Sequence, residues 1–178
     1  MDKTSAIYAT AIFELAQSQG SEDLWRDQLE SLNTAWTDSP EILQFFARTQ
    51  VSKTEKKDVL KKSLTKIDPM LVNALCLLVD KDRMSHFSDI AKDYRHLYNK
   101  QHNINEGTVY SIRPLDTEEI ETLNREFSKR NKQIVRFENR IDPTLISGIK
   151  IILDDKIMDG SMKARISNLR TELIKGSR

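Results

Sequence analysis

The sequence predicts a mostly α protein with a small α+β part: an N-terminal six-helix bundle followed by a small strand–helix–strand–hairpin–helix domain. Three observations carry this reading. Over the first hundred or so residues, apolar side chains recur at helical spacing between short breaks made by Gly, Ser-Pro and Asp-Pro. From Thr108 onward the spacing shortens to the alternation of a strand. Between them, residues 103–107 are polar and hold turn formers, which places a boundary there and divides the chain into 1–105 and 106–178.

The first helix is expected over residues 4–19, stopped by Gly20, a natural helix C-cap. The second follows from Ser21 and carries Trp25, Leu29, Leu32 and Trp36 on one stripe. Ser39-Pro40 starts the third, with Ser as cap and Pro at the first helical position. Ser52 and Glu55 have the spacing of a capping box for the fourth, with Thr54 as an alternative cap. Asp68-Pro69 opens the fifth. The sixth is expected over 83–102, where Phe87, Ile90, Ala91, Tyr94 and Tyr98 keep helical period. Six helices joined by short loops pack as a bundle. In the second part, residues 108–112 read as a strand ended by Pro114. Asp116 and Glu119 box the start of a helix whose stripe is Ile120, Leu123 and Phe127, with Leu115 and Ile120 in the staple positions. Residues 133–137 form the next strand, and 148–153 with 156–158 form a hairpin turned by Asp154-Asp155. A last helix carries Met162, Ile166, Leu169 and Leu173 and ends at Gly176.

Composition narrows the function. The 178 residues are 31% charged and 38% apolar, with a net charge of +1. The two parts carry about −1 and +2, without the basic excess of a dedicated nucleic-acid binder. The longest apolar run, from Ala74 to Val79, falls well short of the roughly 20 residues that span a membrane. The first residues lack the basic-then-apolar order of a secretory signal. The single cysteine, Cys76, sits in that apolar run and reads as a small buried hydrophobe in a reducing, cytoplasmic setting.

The chemistry of sites is equally spare. His86, His96 and His102 have no partner at three or four residues and there is no Cys-x-x-Cys, so no metal site is expected. With five glycines and no Lys beside Gly160-Ser161, there is no phosphate loop, and no catalytic or cofactor site is expected. Basic clusters at Lys129, Arg130, Lys132 and Arg136, and at Lys163, Arg165 and Arg170, read as solvated charge or as partner-facing salt bridges. No RNP aromatic motif or Gly-x-x-Gly clamp accompanies them. The unusual feature is the breadth of two apolar faces. In helix one, apolar residues cover about 240° of the circumference, leaving Thr10, Glu14 and Gln17 as the polar strip. Helix five is similar, with Asn73 its only polar residue from Met70 to Val79. Either both helices are central to the bundle, or together they form a groove for an amphipathic helix from outside.

Two motifs at opposite ends of the chain carry a resemblance. Near the C-terminus stands Asp142-Pro143-Thr144-Leu145-Ile146-Ser147-Gly148-Ile149-Lys150-Ile151, then Asp154-Asp155-Lys156-Ile157-Met158-Asp159-Gly160-Ser161, then Arg165. Near the N-terminus stands Tyr8-Ala9-Thr10-Ala11-Ile12-Phe13. A shorter match is Asp80-Lys81-Asp82-Arg83-Met84. The order resembles the delta subunit of F-type ATP synthases, the family of the oligomycin sensitivity-conferring protein, over nearly the whole chain. The resemblance implies a non-catalytic stator subunit without cofactors, at the cytoplasmic face of the membrane and attached to it only through the complex. It implies that residues 1–105 bind the N-terminal helix of an alpha subunit of the catalytic head, and that 106–178 bind the peripheral-stalk b subunits. It favours the groove reading, with Tyr8, Ala11, Ile12 and Leu15 of helix one and Ala74, Leu77 and Leu78 of helix five as partner-binding residues. It makes Gly148, Asp159, Gly160, Ser161 and Arg165 a structural motif. Without it, the residues leave open an unrelated helical adaptor and an RNA-binding module.

Overall fold

A computed structural model describes residues 3–145, 147–153 and 156–162. The described residues are mostly helical, with seven α-helices and a four-stranded sheet. The helices before the sheet are α1 (Lys3–Gln19), α2 (Glu22–Asp38), α3 (Pro40–Ala47), α4 (Lys53–Ser63), α5 (Pro69–Asp80) and α6 (Phe87–Gln101). The sheet contains β1 (Ile104–Ser111), β2 (Ile134–Ile141), β3 (Ile149–Leu153) and β4 (Lys156–Asp159), with α7 (Thr117–Asn131) between β1 and β2. The chain divides into two compact units, Met1–Tyr98 and Asn99–Arg178.

Local chemistry sets the helix ends of the first unit. Gly20 adopts φ +63°, and the Ser21 N–H closes α1 by donating to the Ala16 carbonyl at 3.0 Å. The capping box of α4 is formed on both sides: Glu55 N donates to Ser52 Oγ at 3.2 Å, and Ser52 N donates to Glu55 Oε2 at 3.1 Å. At α5, Asp68 Oδ1 accepts from Met70 N at 2.8 Å, with Pro69 at the first helical position. Ser39 does not cap α3 through its side chain, so Pro40 alone starts that helix. The sixth helix begins at Phe87 and not at Arg83, because Asp82 takes a left-handed φ of 54° and a 3-10 turn occupies Met84–His86.

The stripe of α2 is the spine of this unit's core: Trp25, Leu29, Leu32 and Trp36 are all buried. Trp36 packs against Phe87 with ring centroids 4.3 Å apart, and Phe13 of α1 meets Tyr94 of α6 edge-on at 5.4 Å. Tyr94 Oη donates to the Glu22 carbonyl at 3.1 Å. Burial pushes its phenol pKa strongly up, so the hydroxyl stays a donor.

In the second unit the strand order is β2-β1-β3-β4, with β1 parallel to β2 and antiparallel to β3. The parallel pair needs a crossover, and α7 supplies it. Asp116 and Glu119 form the expected box, with Glu119 N donating to Asp116 Oδ1 at 2.8 Å. The core is small: Val109, Val135, Phe137, Ile151 and Leu153, with Leu123 and Phe127 of α7 packed against it. Two α7 side chains accept hydrogen bonds from the β2 backbone. Val135 N donates to Ser128 Oγ and Phe137 N to Asn124 Oδ1, each at 2.8 Å. Asn139 ties the strand ends, donating to the Val109 carbonyl at 3.0 Å and accepting from Leu115 N at 2.9 Å.

The structure moves two strand boundaries. β1 starts at Ile104 and not at Thr108, so residues 104–107 are strand and not loop. Ile104 is buried, and Gly107 lies under the Phe137 ring, where a Cβ would come within 2.5 Å of Cε1. Only Asn103, at φ 54°, keeps the turn. β2 runs on past Phe137 through Ile141, with the Asn139 side chain bonded inside the fold. The expected turn at Asp154-Asp155 and the last helix beyond Met162, with its seam at Ile166, Leu169 and Leu173, lie outside the described residues.

Candidate functional site: the outer faces of α1 and α5 and the β3–β4 clasp

The broad apolar arc of α1 resolves into two faces. Ala9, Ile12, Phe13 and Ala16 are buried. Ile7 is 69% exposed, Ala11 is exposed, and Tyr8 and Leu15 are half-buried. Ile7, Ala11 and Leu15 follow one another at intervals of four, so they form one outer strip. The inner face is anchored to α6, where buried Ser5 donates to Asp93 Oδ2 at 2.7 Å beside the Phe13–Tyr94 contact.

Helix α5 divides the same way. Leu71, Val72, Leu75, Cys76, Leu78 and Val79 face the core. Met70 is 39% exposed, Leu77 is 49% exposed, and Ala74 is half-buried between them. Positions 70, 73, 74 and 77 are one helical face, so the outer strip is Met70, Ala74 and Leu77 with Asn73 alongside. Cys76 is a buried free thiol whose pKa is raised by desolvation, the environment of a packing residue.

Five of the seven expected partner-binding residues therefore retain accessible surface: Tyr8, Ala11, Leu15, Ala74 and Leu77. Ile12 and Leu78 do not. They are 5% and 1% exposed, because each points from its helix into the first unit's core. Ile7 and Met70 belong on the outer strips instead. Their spacing of four from Ala11 and Ala74 is the sequence signal for this.

The C-terminal motif forms a clasp at the mouth of the β3–β4 hairpin. Gly148 has φ +86°, and a Cβ there would lie 2.6 Å from the Gly160 carbonyl oxygen, so only glycine fits. Gly160 N donates to the Ile149 carbonyl at 3.0 Å, and Met162 N to the Ser147 carbonyl at 3.0 Å. Asp159 Oδ1 accepts from Ser161 N at 2.9 Å, and Ser161 is 1% exposed. These contacts are structural chemistry, with no group placed to act on a substrate. Arg165, the fifth residue of the motif, lies outside the described residues.

Among the described residues, no three His, Cys, Asp or Glu side chains gather as a metal would require. No described helix is long and apolar enough to cross a membrane.

Comparison with known proteins agrees with this architecture. The chain is 34% identical over 173 residues to the ATP synthase subunit delta of Halalkalibacterium halodurans, covering 96% of this chain and 94% of that one. It is 31% identical over 169 residues to the ATP synthase subunit delta of Bacillus thuringiensis strain Al Hakam, covering 94% of each. A chain in the cryo-EM structure of the Toxoplasma gondii mitochondrial ATP synthase hexamer shares the fold. Its TM-score is 0.72 at 20% identity, over 96% of this chain and 97% of that one. The family model described as ATP synthase delta (OSCP) subunit matches residues 5–173. The chain belongs to the ATP synthase delta (OSCP) subunit family, whose members are non-catalytic stator components peripheral to a membrane complex.

Proposed function

We propose that this chain ties the catalytic head of a rotary ATP synthase to its peripheral stalk through two interfaces in series. Residues 1–105, read as a six-helix bundle, grip the N-terminal helix of an alpha subunit. Residues 106–178 hold the b subunits, at the cytoplasmic face of the membrane. The role is mechanical: both contacts resist torque while the rotor turns, and no bond is made or broken in this subunit.

The observation that carries this reading is the doubled face of α1 and α5. Each already packs a complete inner face into the core, yet each also presents apolar side chains outward at helical spacing. Small residues mark both strips, Ala11 on one and Ala74 on the other, and small residues let a partner helix approach closely. Tyr8, Leu15 and Leu77 supply the larger contacts. In the second unit, exposed Ile134, Ile141 and Ile157 supply apolar surface for the stalk.

The test is calorimetric titration of the full chain with a peptide of the alpha-subunit N-terminal helix. Ala11→Trp and Leu77→Glu should each weaken binding by about tenfold or more. Neither should move the melting temperature appreciably, since exposed positions change stability by about 0.5 kcal/mol or less. Undiminished peptide binding by both variants would overturn the assignment of these faces. Fragment 1–105 should be helical and melt cooperatively by circular dichroism; a coil-like fragment would overturn the domain division.

A further inference from the structure

A cavity of about 570 Å³ lies between the end of α3, the start of α4 and the turn after α5. Phe46, Val51, Val79 and Met84 give it an apolar side, and Thr49, Ser52, Lys53, Asp82 and Ser85 a polar and charged one. Lys56 also lines it, and this lysine is 5% exposed. Its Nζ donates to the Phe46 carbonyl at 2.7 Å, and no carboxylate among the described residues lies within ion-pair distance of it. An ammonium carries three donors and is costly to bury without a counter-charge.

The cavity's own acid meets that need only in part, because it feels the charge of Lys56 at longer range while bonding directly to Lys53. Asp82 is held by Lys53 at 2.6 Å, and that hydrogen bond keeps its carboxyl below the ordinary aspartate range. Lys53 spends a second donor on the Asp80 carbonyl, also at 2.6 Å. Of the two cations in the lining, Lys53 takes the direct ion pair and Lys56 makes none, so two cations share one carboxylate and the lining carries one positive charge in excess. Thr49 and Ser85 bring hydroxyls to the same lining, and neither bonds to another described residue.

We propose that this cavity binds a carboxylate carried on a small apolar body, with Lys56 as its counter-charge and Thr49 and Ser85 as further donors. The site goes beyond the tethering role, which uses other side chains. One positive charge in excess suits a monoanion, and the side of Phe46, Val51, Val79 and Met84 suits hydrocarbon. A phosphate would bring more charge than one ammonium balances and leave that side uncovered. The same chemistry is offered by a free organic acid and by an acidic side chain between apolar neighbours on a polypeptide.

Full-length protein labelled with nitrogen-15 is titrated with hexanoate, hexan-1-ol and inorganic phosphate, following the amides of Ala47, Thr49 and Ser85. Hexanoate should give saturable shifts, and the other two should bind about tenfold more weakly or not at all. Lys56→Met, an apolar side chain of similar length, should keep the dispersed spectrum of the fold and lose hexanoate binding by about tenfold or more. Thr49→Val should show a smaller loss, and it carries the test if Lys56→Met perturbs the fold. The capped tripeptides Leu-Glu-Leu and Leu-Gln-Leu separate the sources. Saturation by hexanoate alone assigns the site to a free acid, and tighter, Glu-dependent tripeptide binding assigns it to a polypeptide. The proposal is overturned if neither carboxylate saturates, if hexan-1-ol or phosphate binds as well as hexanoate, or if folded Lys56→Met binds undiminished.

Discussion

The two units of this chain bury their apolar residues in different ways. The helical unit encloses its largest side chains outright, with Trp25, Phe87 and Tyr94 each 0% exposed, and still has apolar residues left over on α1 and α5. In the α+β unit the only described helix, α7, has no fully buried residue, and its stripe of Ile120, Leu123 and Phe127 is half-covered. A short chain buries a smaller fraction of its surface, so its core has less to spare. In the first unit, buried and outward-facing apolar residues occupy separate faces of the same helix. In the second, the few apolar residues serve the sheet first.

The strongest test of this contrast compares one ring from each core. Trp25→Ala should destabilise the helical unit by about 3–5 kcal/mol, the usual cost of emptying a fully buried aromatic site. Urea unfolding followed by the fluorescence of Trp36 reads this out. Phe127→Ala in α7 should cost about 2 kcal/mol, since its ring is only partly removed from water. Strand amide signals during the same titration report it. Equal losses would break the contrast.

The clasp comes next. Gly148→Ala must hold a left-handed φ and also push against the Gly160 carbonyl, so it should cost about 2–3 kcal/mol. Gly20→Ala, also at positive φ but with nothing within 4 Å of the added Cβ, should cost about 1 kcal/mol. Melting curves of the two variants separate strain from collision.

The capping boxes should show no such difference. Ser52→Ala and Asp116→Ala each remove the side-chain acceptor of the Glu55 or Glu119 backbone N–H at an exposed helix start, leave the reciprocal bond to the Glu carboxylate, and should cost about 1 kcal/mol apiece by chemical denaturation. A much larger loss at Asp116 would mean that α7 depends on its cap in place of its packing.

The smallest effect is electrostatic. Hydrogen bonds from Arg113 to Glu119 and from Lys53 to Asp82 lower the two carboxyls below their ordinary values near 4.5 and 3.8. Each folded pKa lies under its unfolded one, so the stabilisation is complete above the unfolded value and disappears as pH falls through the folded value. Both groups are solvent-open, so the acid-side loss is small and screened by salt. Arg113→Gln should move Glu119 back toward 4.5 in a carbon-13 carboxyl titration while leaving Asp82 unchanged.

What the sequence made legible was short-range. The boxes at Ser52/Glu55 and Asp116/Glu119, the stop at Gly20 and the stripe from Trp25 to Trp36 depend on neighbours within one or two turns, and all four hold. What it hid was long-range. Gly107 reads as part of a turn and the second strand as ending at Phe137, yet Phe137 covers Gly107 and Val109, Ser111 and Leu115 bond Asn139, so both residues sit inside strands. The arcs of α1 and α5 showed that apolar surface was in excess, but not which side met the core, and so Ile12 and Leu78 read as surface. Lys56 was hidden among the many lysines of α4. Its spacing of four from buried Leu60 was the available clue.

The two hydrogen bonds from the β2 backbone to Ser128 and Asn124 have a further consequence. β2 is the outermost strand of its side of the sheet, and a bare outer strand is a template on which a second chain can add its own. Here the N–H groups of Val135 and Phe137 that such a chain would take are already engaged by the crossover helix. Those two donors are not free for a second strand to take, which blunts the edge at that point. For a stator subunit, this favours contact there through side-chain surfaces, which can tell one partner from another, over backbone pairing, which cannot.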